Sequence, residues 1–219
     1  MTIRHTLHAT ILSAAIAVGC ITIPAAGAFA APTSASATVR TGDDALAGYA
    51  TAALGQWQRY TDTGNATALS DFDATRDAVA AEAAERLGLD PAAMQAAWSE
   101  ADPAHQTALM AAFSQLGIRY KAYAASPEVG FDCSGLTSWA WGQAGVSLFH
   151  QSRTQINGAR AVTRDTAQAG DLVYYPGHVM LYLGIDNAII HAPYTGRSVE
   201  VSFVAKRRIN SVRFGDPTS

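Results

Sequence analysis

The sequence predicts an α+β protein in which a small all-α region precedes a region that contains a sheet. From Asp43 onward alanine dominates and glycine is sparse, a composition typical of helices. After Gly117, glycine, tyrosine and β-branched residues become frequent and form short apolar runs, which is typical of strands. The connections between these runs are short, so we expect an antiparallel sheet rather than a parallel one.

Capping and turn residues set the expected limits of the helices. Asp90 and Asp102 each precede a proline, and aspartate at the N-cap with proline at the first helical position marks a helix start. Gly88 and Gly117 each follow a leucine at an expected helix end. The predicted helices cover residues 43–61, 70–88, 91–100, 102–116 and 133–144.

The strand candidates all lie in the C-terminal half of the chain. They cover residues 171–176, 178–185, 188–192, 199–204 and 209–214. Asp186-Asn187 is a plausible tight turn between the second and third of these strands. A hairpin at this turn brings the start of one strand and the end of the other to one edge of the sheet.

The first thirty residues have the pattern of a secretory signal peptide. Arg4 lies in a short basic segment, an apolar run of about 13 residues follows, and Ala28 and Ala30 supply the small residues that export peptidases require. The run is shorter than the roughly 20 residues that span a bilayer. We therefore expect a secreted, extracytoplasmic protein of the cell wall without stable membrane insertion. An alternative is lipidation at Cys20, because residues 17–20 weakly resemble a lipoprotein processing site.

Composition excludes several classes of protein. The chain has 219 residues and a net charge of -3, so charge alone does not indicate a nucleic-acid binder, and it lacks the GxxxxGK[ST] and GxGxxG phosphate-binding motifs. Two cysteines exclude a disulfide scaffold. Residues 43–102 hold eleven acidic and three basic residues, whereas residues 103–219 hold seven acidic and ten basic ones. This asymmetry fits either two solvated surfaces or acidic helices that dock on a basic domain.

Cys133 is the first candidate for chemistry. It is the single cysteine left after cleavage at Ala30, and exported proteins rarely keep an unpaired thiol. It lies at the start of the predicted helix 133–144, where the helix dipole favours thiolate and the backbone N–H has no intrahelical acceptor. This position suits covalent catalysis. The alternative is a buried cysteine that serves as a small apolar side chain.

Two histidines are candidates for the base that a thiol nucleophile needs. His178 opens an apolar strand, and His191 ends the next strand, so the hairpin can bring both to one sheet edge. His191 could then orient the His178 ring. The alternatives are core histidines or a zinc site with Cys133, for which no further ligand lies at suitable spacing. We expect His105 on a helix surface and His150 beside a cleft.

Four fragments resemble the NlpC family of cell-wall peptidases in the order and spacing of that family. They extend over roughly half of the chain, from about residue 103 to 214, and comprise Phe131–Leu136, Gly170–Tyr175, His178–Gly184 and Ile190–Pro193. The resemblance implies a papain-like fold, with helices packed on an antiparallel sheet. The expected organisation is a signal peptide at 1–30, a flexible leader at 31–42, an acidic helical region at 43–101 and an NlpC-type catalytic domain at 102–219.

The resemblance also implies roles for individual residues. Cys133 matches the nucleophile of the family, His178 its general base and His191 the polar residue that orients the base. The matching substrate-side residues are Tyr120, beside the thiolate, Asp132 and Ser134, which in some members hold the free amine of the stem peptide, and His150 in the cleft. The alternative for Asp132 is a purely structural role as the N-cap of the helix. Lys121–Ala124 lacks the glycines that often follow the tyrosine in the family, which puts one substrate-side wall in doubt.

The resulting hypothesis is a secreted cysteine endopeptidase that hydrolyses peptidoglycan stem peptides between D-γ-glutamate and the diamino acid, without metal or organic cofactor. The alternatives are an amidase or acyltransferase on the same scaffold, or a non-catalytic wall-binding protein. The acidic helical region could shield the basic cleft, dock on the wall or act as a spacer. The sequence leaves open the identity of the diamino acid, the stem length, the protein partners and the oligomeric state.

Overall fold

The computed structural model describes residues 40–218, and the predicted signal peptide and most of the predicted leader lie outside these residues. Four helices come first, and their bounds are Ala45–Thr63 (α1), Ala66–Leu87 (α2), Pro91–Glu100 (α3) and Pro103–Phe113 (α4). The prediction of four helices ahead of the sheet is confirmed.

Capping groups account for most of these helix ends. The Asp90 side chain accepts a hydrogen bond from the backbone N–H of Ala92 and so caps α3 as predicted. Gly88 ends α2 in a left-handed conformation, with φ of 67°. Asp102 precedes α4 but makes no side-chain capping bond. Its carboxylate instead accepts a hydrogen bond from Gln168 Nε2 at 3.0 Å, so this aspartate links the helix to the loop before the sheet.

A six-stranded antiparallel sheet forms the second layer. Its strands are Arg160–Val162 (β3), Leu172–Tyr175 (β4), His178–Tyr182 (β5), Ala188–His191 (β6), Glu200–Phe203 (β7) and Arg213–Asp216 (β8), in the order β3-β8-β4-β5-β6-β7. The strands β4 to β7 follow one another as a meander. A separate two-stranded ribbon, Ala125–Ser126 (β1) with Gly130–Phe131 (β2), precedes the helix Cys133–Gln143 (α5).

Helix α5 lies between the helical region and the sheet, because it packs on α4 on one side and on β5 on the other. Strand β5 is buried along its whole length. The main hydrophobic core contains side chains of α1 to α5 together with those of β4, β5 and β6. The predicted α+β architecture is confirmed, and the core is continuous across the predicted boundary at residue 101.

Trp98 is one of the residues that join the helical region to the sheet. Its side chain is fully buried, and its ring packs edge-on against Phe113 with centroids 5.0 Å apart. The indole Nε1–H donates a hydrogen bond of 3.0 Å to the carbonyl of Leu183, which directly follows β5. The helical region is thus tied to the sheet by apolar packing and a buried hydrogen bond.

Replacing Trp98 by alanine is expected to lower the free energy of unfolding by about 3–5 kcal/mol, because it leaves a cavity and an unpaired carbonyl at this junction. Urea denaturation followed by circular dichroism measures the loss. Trp98→Phe keeps most of the volume and is expected to lose less. A loss below about 1 kcal/mol for Trp98→Ala would be typical of a surface site and would show that the junction does not stabilise the fold.

The structure corrects some sequence predictions of secondary structure. The strand expected at 209–214 begins only at Arg213, because Lys206–Ser211 forms a 3-10 helix. Strand β3 and the helix Ser152–Gly158 (α6) were not predicted, and both are short. Strand β3 has only three residues, which is too few to show the alternation of apolar and polar residues that marks a strand. Its pairing with β8 could therefore not be predicted from the sequence.

Four acids of the helical region form ion pairs with arginines of the same region. Arg76 pairs with Asp73 and Asp77, and Arg86 pairs with Asp44 and Glu82. These ion pairs lie within the helical region itself, whereas the contacts with the sheet region include the apolar core and the buried Trp98 hydrogen bond described above. Among the described residues, no helix is both long and apolar enough to cross a bilayer.

Candidate active site

Cys133 is the first residue of α5, as the sequence predicted. The side chain of Asp132 caps the helix by accepting a hydrogen bond from the backbone N–H of Gly135 at 2.7 Å. Gly135 allows a close approach here, because a Cβ at this position would lie 2.1 Å from the carbonyl oxygen of Ala124. The tight contact fixes the start of α5, and with it Cys133, against the segment before β1.

The sulfur of Cys133 is partly buried next to the first residues of β5. Burial raises the pKa of the thiol, and the charge of Asp132 raises it further. Hydrogen bonds from the backbone of Val179, Ser134 and Cys133 itself act in the opposite direction. The sequence predicted a thiolate favoured by the helix dipole, whereas burial of the sulfur raises the thiol pKa and acts toward the protonated form.

His178 and His191 lie side by side, as expected from the hairpin. The pairs Leu181–Ile190 and Tyr182–Ile189 set the register of β5 and β6, and His178 Nε2 is 2.8 Å from His191 Nδ1. Burial lowers the pKa of His178 to about 4. Burial, and then the charges of His178 and Arg197, lower the pKa of His191 to about 3. Both rings are therefore neutral at pH 7, and a neutral imidazole can accept a proton.

The hydrogen bond from the backbone of Val179 places the Cys133 sulfur beside the residue that directly follows His178. His178 Nε2 is engaged by His191, so Nδ1 is the ring nitrogen left for a proton from the thiol. The structure thus brings together the three residues that the sequence selected, and the His178 imidazole is neutral and held by a hydrogen bond. This arrangement can support nucleophilic catalysis by a thiol.

Two tyrosines lie near the thiol. Burial raises the pKa of Tyr120, and the charges of Cys133 and Asp132 raise it further, so Tyr120 lies near Cys133. Tyr175 was not singled out from the sequence. Its ring centroid is 5.4 Å from that of His178, and its pKa is raised by burial and by the charge of Cys133. Only the register of β4 and β5, which pairs Tyr175 with His178, reveals this neighbour.

Both carboxylate oxygens of Asp132 accept hydrogen bonds. Oδ1 accepts from the backbone N–H of Gly135 and from the hydroxyl of Ser134 at 3.0 Å, and it lies 2.9 Å from His150 Nε2. Oδ2 accepts from the backbone N–H of Tyr123 at 3.0 Å. The structure therefore brings together three predicted substrate-side residues, Asp132, Ser134 and His150. In the described state Asp132 acts as the N-cap of α5, and the amine-holding role stays a prediction.

His105 is buried rather than exposed, contrary to expectation. Its Nε2 lies 3.0 Å from Asp171 Oδ1 and 3.6 Å from Asp216 Oδ1, so it connects α4 to the residue before β4 and to the last residue of β8. These three side chains could geometrically hold a metal ion. However, Asp171 also accepts from the backbone of Gln168, and Asp216 pairs with Arg160. We interpret the cluster as a buried polar tie between the helix and the sheet.

The buried histidines predict a loss of stability in acid. An unfolded histidine binds a proton below about pH 6.5, whereas His178 does so in the fold only near pH 4, so the free energy of unfolding falls as the pH drops through this window. Between pH 7 and pH 5, His178 alone accounts for about 2 kcal/mol. Urea unfolding at both pH values measures the free energy of unfolding that is lost between pH 7 and pH 5. This loss should be about 2 kcal/mol smaller in His178→Gln than in the wild type. Equal losses in the two proteins would exclude the low pKa.

Comparison with known proteins fits this geometry. The sequence model of the NlpC/P60 family matches residues 117–215, which include all three candidate catalytic residues. These residues form an NlpC/P60 domain. The matched residues begin shortly after α4 and extend into β8, so all four N-terminal helices lie before them.

Relatives of the NlpC/P60 domain are named for cell-wall hydrolysis. Peptidoglycan endopeptidase RipA of Mycolicibacterium smegmatis is 36% identical over 105 residues, which cover 41% of this chain and 21% of RipA. The bifunctional muramidase/DL-endopeptidase CwlT of Bacillus subtilis is 33% identical over 88 residues, which cover 36% of this chain and 27% of CwlT. The chain thus spans only about a quarter of the length of these relatives.

Among solved structures, the P60 domain of an antigen from M. avium subspecies paratuberculosis is 27% identical, with a TM-score of 0.47. The match covers 53% of this chain and 96% of that domain.

Proposed function

We propose that the chain is a secreted cysteine endopeptidase that hydrolyses peptidoglycan stem peptides. The observation that carries the proposal is the buried, neutral His178–His191 pair beside the thiol of Cys133, at the start of a helix. A cysteine kept only as a small apolar side chain needs no such pair. The names of the relatives, peptidoglycan endopeptidase and DL-endopeptidase, support the substrate class.

The chemistry follows from the protonation states. In the proposed reaction His178 takes the proton of the Cys133 thiol through Nδ1 as the sulfur attacks the amide carbonyl carbon. The oxygen of the tetrahedral intermediate is stabilised by the Cys133 backbone N–H, which has no acceptor within the helix. His178 then gives its proton to the leaving amine. Water, activated by the same imidazole, hydrolyses the thioester and restores the thiol.

His191 acts on the base rather than on the substrate in this proposal. Its ring accepts the hydrogen bond from His178 Nε2, which keeps His178 in one orientation and directs Nδ1 to the thiol. The hydrogen bond also stabilises the imidazolium that forms during attack. No metal or organic cofactor takes part in these steps.

The proposed bond lies between D-γ-glutamate and the diamino acid of the stem peptide. The resemblance to the NlpC family implies this bond, and the DL-endopeptidase name of a relative supports it. Secretion to the cell wall belongs to the same proposal, because the substrate is outside the cytoplasm and residues 1–30 have the pattern of a signal peptide.

Mass spectrometry of digested sacculi tests the proposed function. Purified sacculi are incubated with the full chain, and the soluble products are compared with those released by a Cys133→Ala chain. We expect fragments that end in D-γ-glutamate and fragments that begin with the diamino acid, from the wild type alone. Intact stem peptides separated from glycan would indicate an amidase instead. Binding to sacculi without any product would indicate a wall-binding protein.

A further inference from the structure

Glu200 lies opposite His191 on the neighbouring strand. The register of β6 and β7 pairs these two residues directly, and Glu200 Oε1 is 3.7 Å from His191 Nε2. That nitrogen is buried and has no hydrogen-bond partner among the residues that the structure describes. The other carboxylate oxygen, Oε2, accepts from Arg197 Nε at 3.0 Å and from Arg197 Nη2 at 2.6 Å. Arg197 thus holds the carboxylate while one oxygen faces the histidine.

The carboxylate of Glu200 beside His191 determines which ring nitrogens of the two histidines carry protons. An ionised Glu200 can only accept hydrogen bonds, so it favours a proton on His191 Nε2. His191 Nδ1 then carries a lone pair and must accept from His178 Nε2–H, 2.8 Å away. His178 Nδ1 is left with a lone pair, which is the form that a base for Cys133 requires.

We propose that Glu200 is a positioning residue that extends the Cys133–His178–His191 set by one member and fixes the tautomers of both histidines. The proposal rests on the proposed function. Within residues 40–218, the charged and titratable groups shown to face His191 are His178, Arg197 and Glu200. Arg197 disfavours positive charge on His191, and in this proposal Glu200 offsets that effect when His178 takes up the thiol proton.

The distance of 3.7 Å is longer than a hydrogen bond, which fits a resting enzyme with neutral rings. Contacts of this kind commonly tighten only when the reacting complex forms. Glu200 is half-buried, so a modest movement of its side chain can close the gap. Glu200 acts through His191 and does not touch the substrate in this scheme.

Glu200→Gln tests the proposal because it keeps the shape and removes the charge. The amide can donate as well as accept, so it no longer selects one tautomer of His191. We expect kcat on soluble muropeptides to fall about 10- to 100-fold, as is usual for outer partners of a functional histidine, with little change in KM. Nitrogen NMR of histidine-labelled full chain should show His191 protonated at Nε2 in the wild type and a mixture of tautomers in Glu200→Gln.

Two matched variants separate positioning from a structural role. Arg197→Gln removes the ion pair but keeps the carboxylate beside His191, so it should reduce kcat less than Glu200→Gln. Glu82→Gln removes one of the two acidic partners of Arg86 on α2 and should leave kcat unchanged. Equal losses in Arg197→Gln and Glu200→Gln, or an unchanged tautomer in Glu200→Gln, would overturn the proposal. The NMR readout needs no substrate, so it distinguishes this failure from failure of the proposed function.

Discussion

Replacing Cys133 by alanine is expected to abolish the release of peptides from sacculi. The sulfur is the only group in the proposed mechanism that forms a bond to the substrate, and removal of a nucleophile from a catalytic set of this type costs about a millionfold in kcat. Product release measured by mass spectrometry should therefore fall below detection.

The fold is expected to survive this substitution. Cys133 is only partly buried, and its backbone at the start of α5 is fixed by Asp132 and Gly135 rather than by the sulfur. Circular dichroism and urea unfolding of the Cys133→Ala chain check this point. Peptide release at the wild-type rate by a folded Cys133→Ala chain would show that the nucleophile is wrong.

Replacing His178 by glutamine is expected to lower kcat on soluble muropeptides by about 10²- to 10⁴-fold, the usual contribution of a general base. Burial raises the pKa of the thiol, so thiolate is scarce at pH 7 and attack requires a group that takes the proton. The amide of glutamine can still bond to His191 but cannot accept this proton.

Steady-state kinetics at pH 7 measure the loss, and the unfolding curve of the same variant shows whether it is folded. A folded His178→Gln chain whose kcat stays within about threefold of the wild type would exclude His178 as the base, since so small a change is well under 1 kcal/mol. A change confined to KM would assign His178 to substrate binding instead.

Local signals in the sequence predicted the parts of the fold that depend on neighbouring residues. Asp90 before proline gave the start of α3 correctly, and the Asp186-Asn187 turn gave the hairpin that joins β5 and β6. The candidate site followed from the same logic. Cys133 lies at a helix start and the two histidines lie at the ends of paired strands, so short-range pattern was enough to bring His178 and His191 together.

Features that depend on long-range contacts could not be predicted. His105 lies on a helix whose pattern gave no sign that the whole of α4 is buried, because α5 and the sheet enclose it. The upward shift of the Cys133 pKa arises from burial by β5, which no local pattern encodes. Glu200 is nine residues from His191 and 22 residues from His178 and lies in no obvious motif. Only the β6–β7 register places it opposite His191.

The continuity of the core bears on the role of the acidic helices. Trp98 and the buried face of α4 belong to the same core as β5, so removal of residues 43–101 would expose apolar surface of the C-terminal region. We therefore expect these helices to stabilise the domain, whatever further role they have. Shielding of the cleft stays a hypothesis, and point substitutions on the helix surface test it better than truncation.

A nitrile analogue of the proposed substrate can capture the nucleophile. L-Alanyl-D-γ-glutamyl nitrile places an electrophilic carbon where the scissile carbonyl would lie, and a thiol adds to it to give a thioimidate. Mass spectrometry and peptide mapping of the full chain are expected to show one adduct, on Cys133, which forms more slowly in His178→Gln and is prevented by excess muropeptide. An unmodified Cys133 in a preparation that digests sacculi, or an adduct at another residue, would contradict the assignment of Cys133 as the nucleophile.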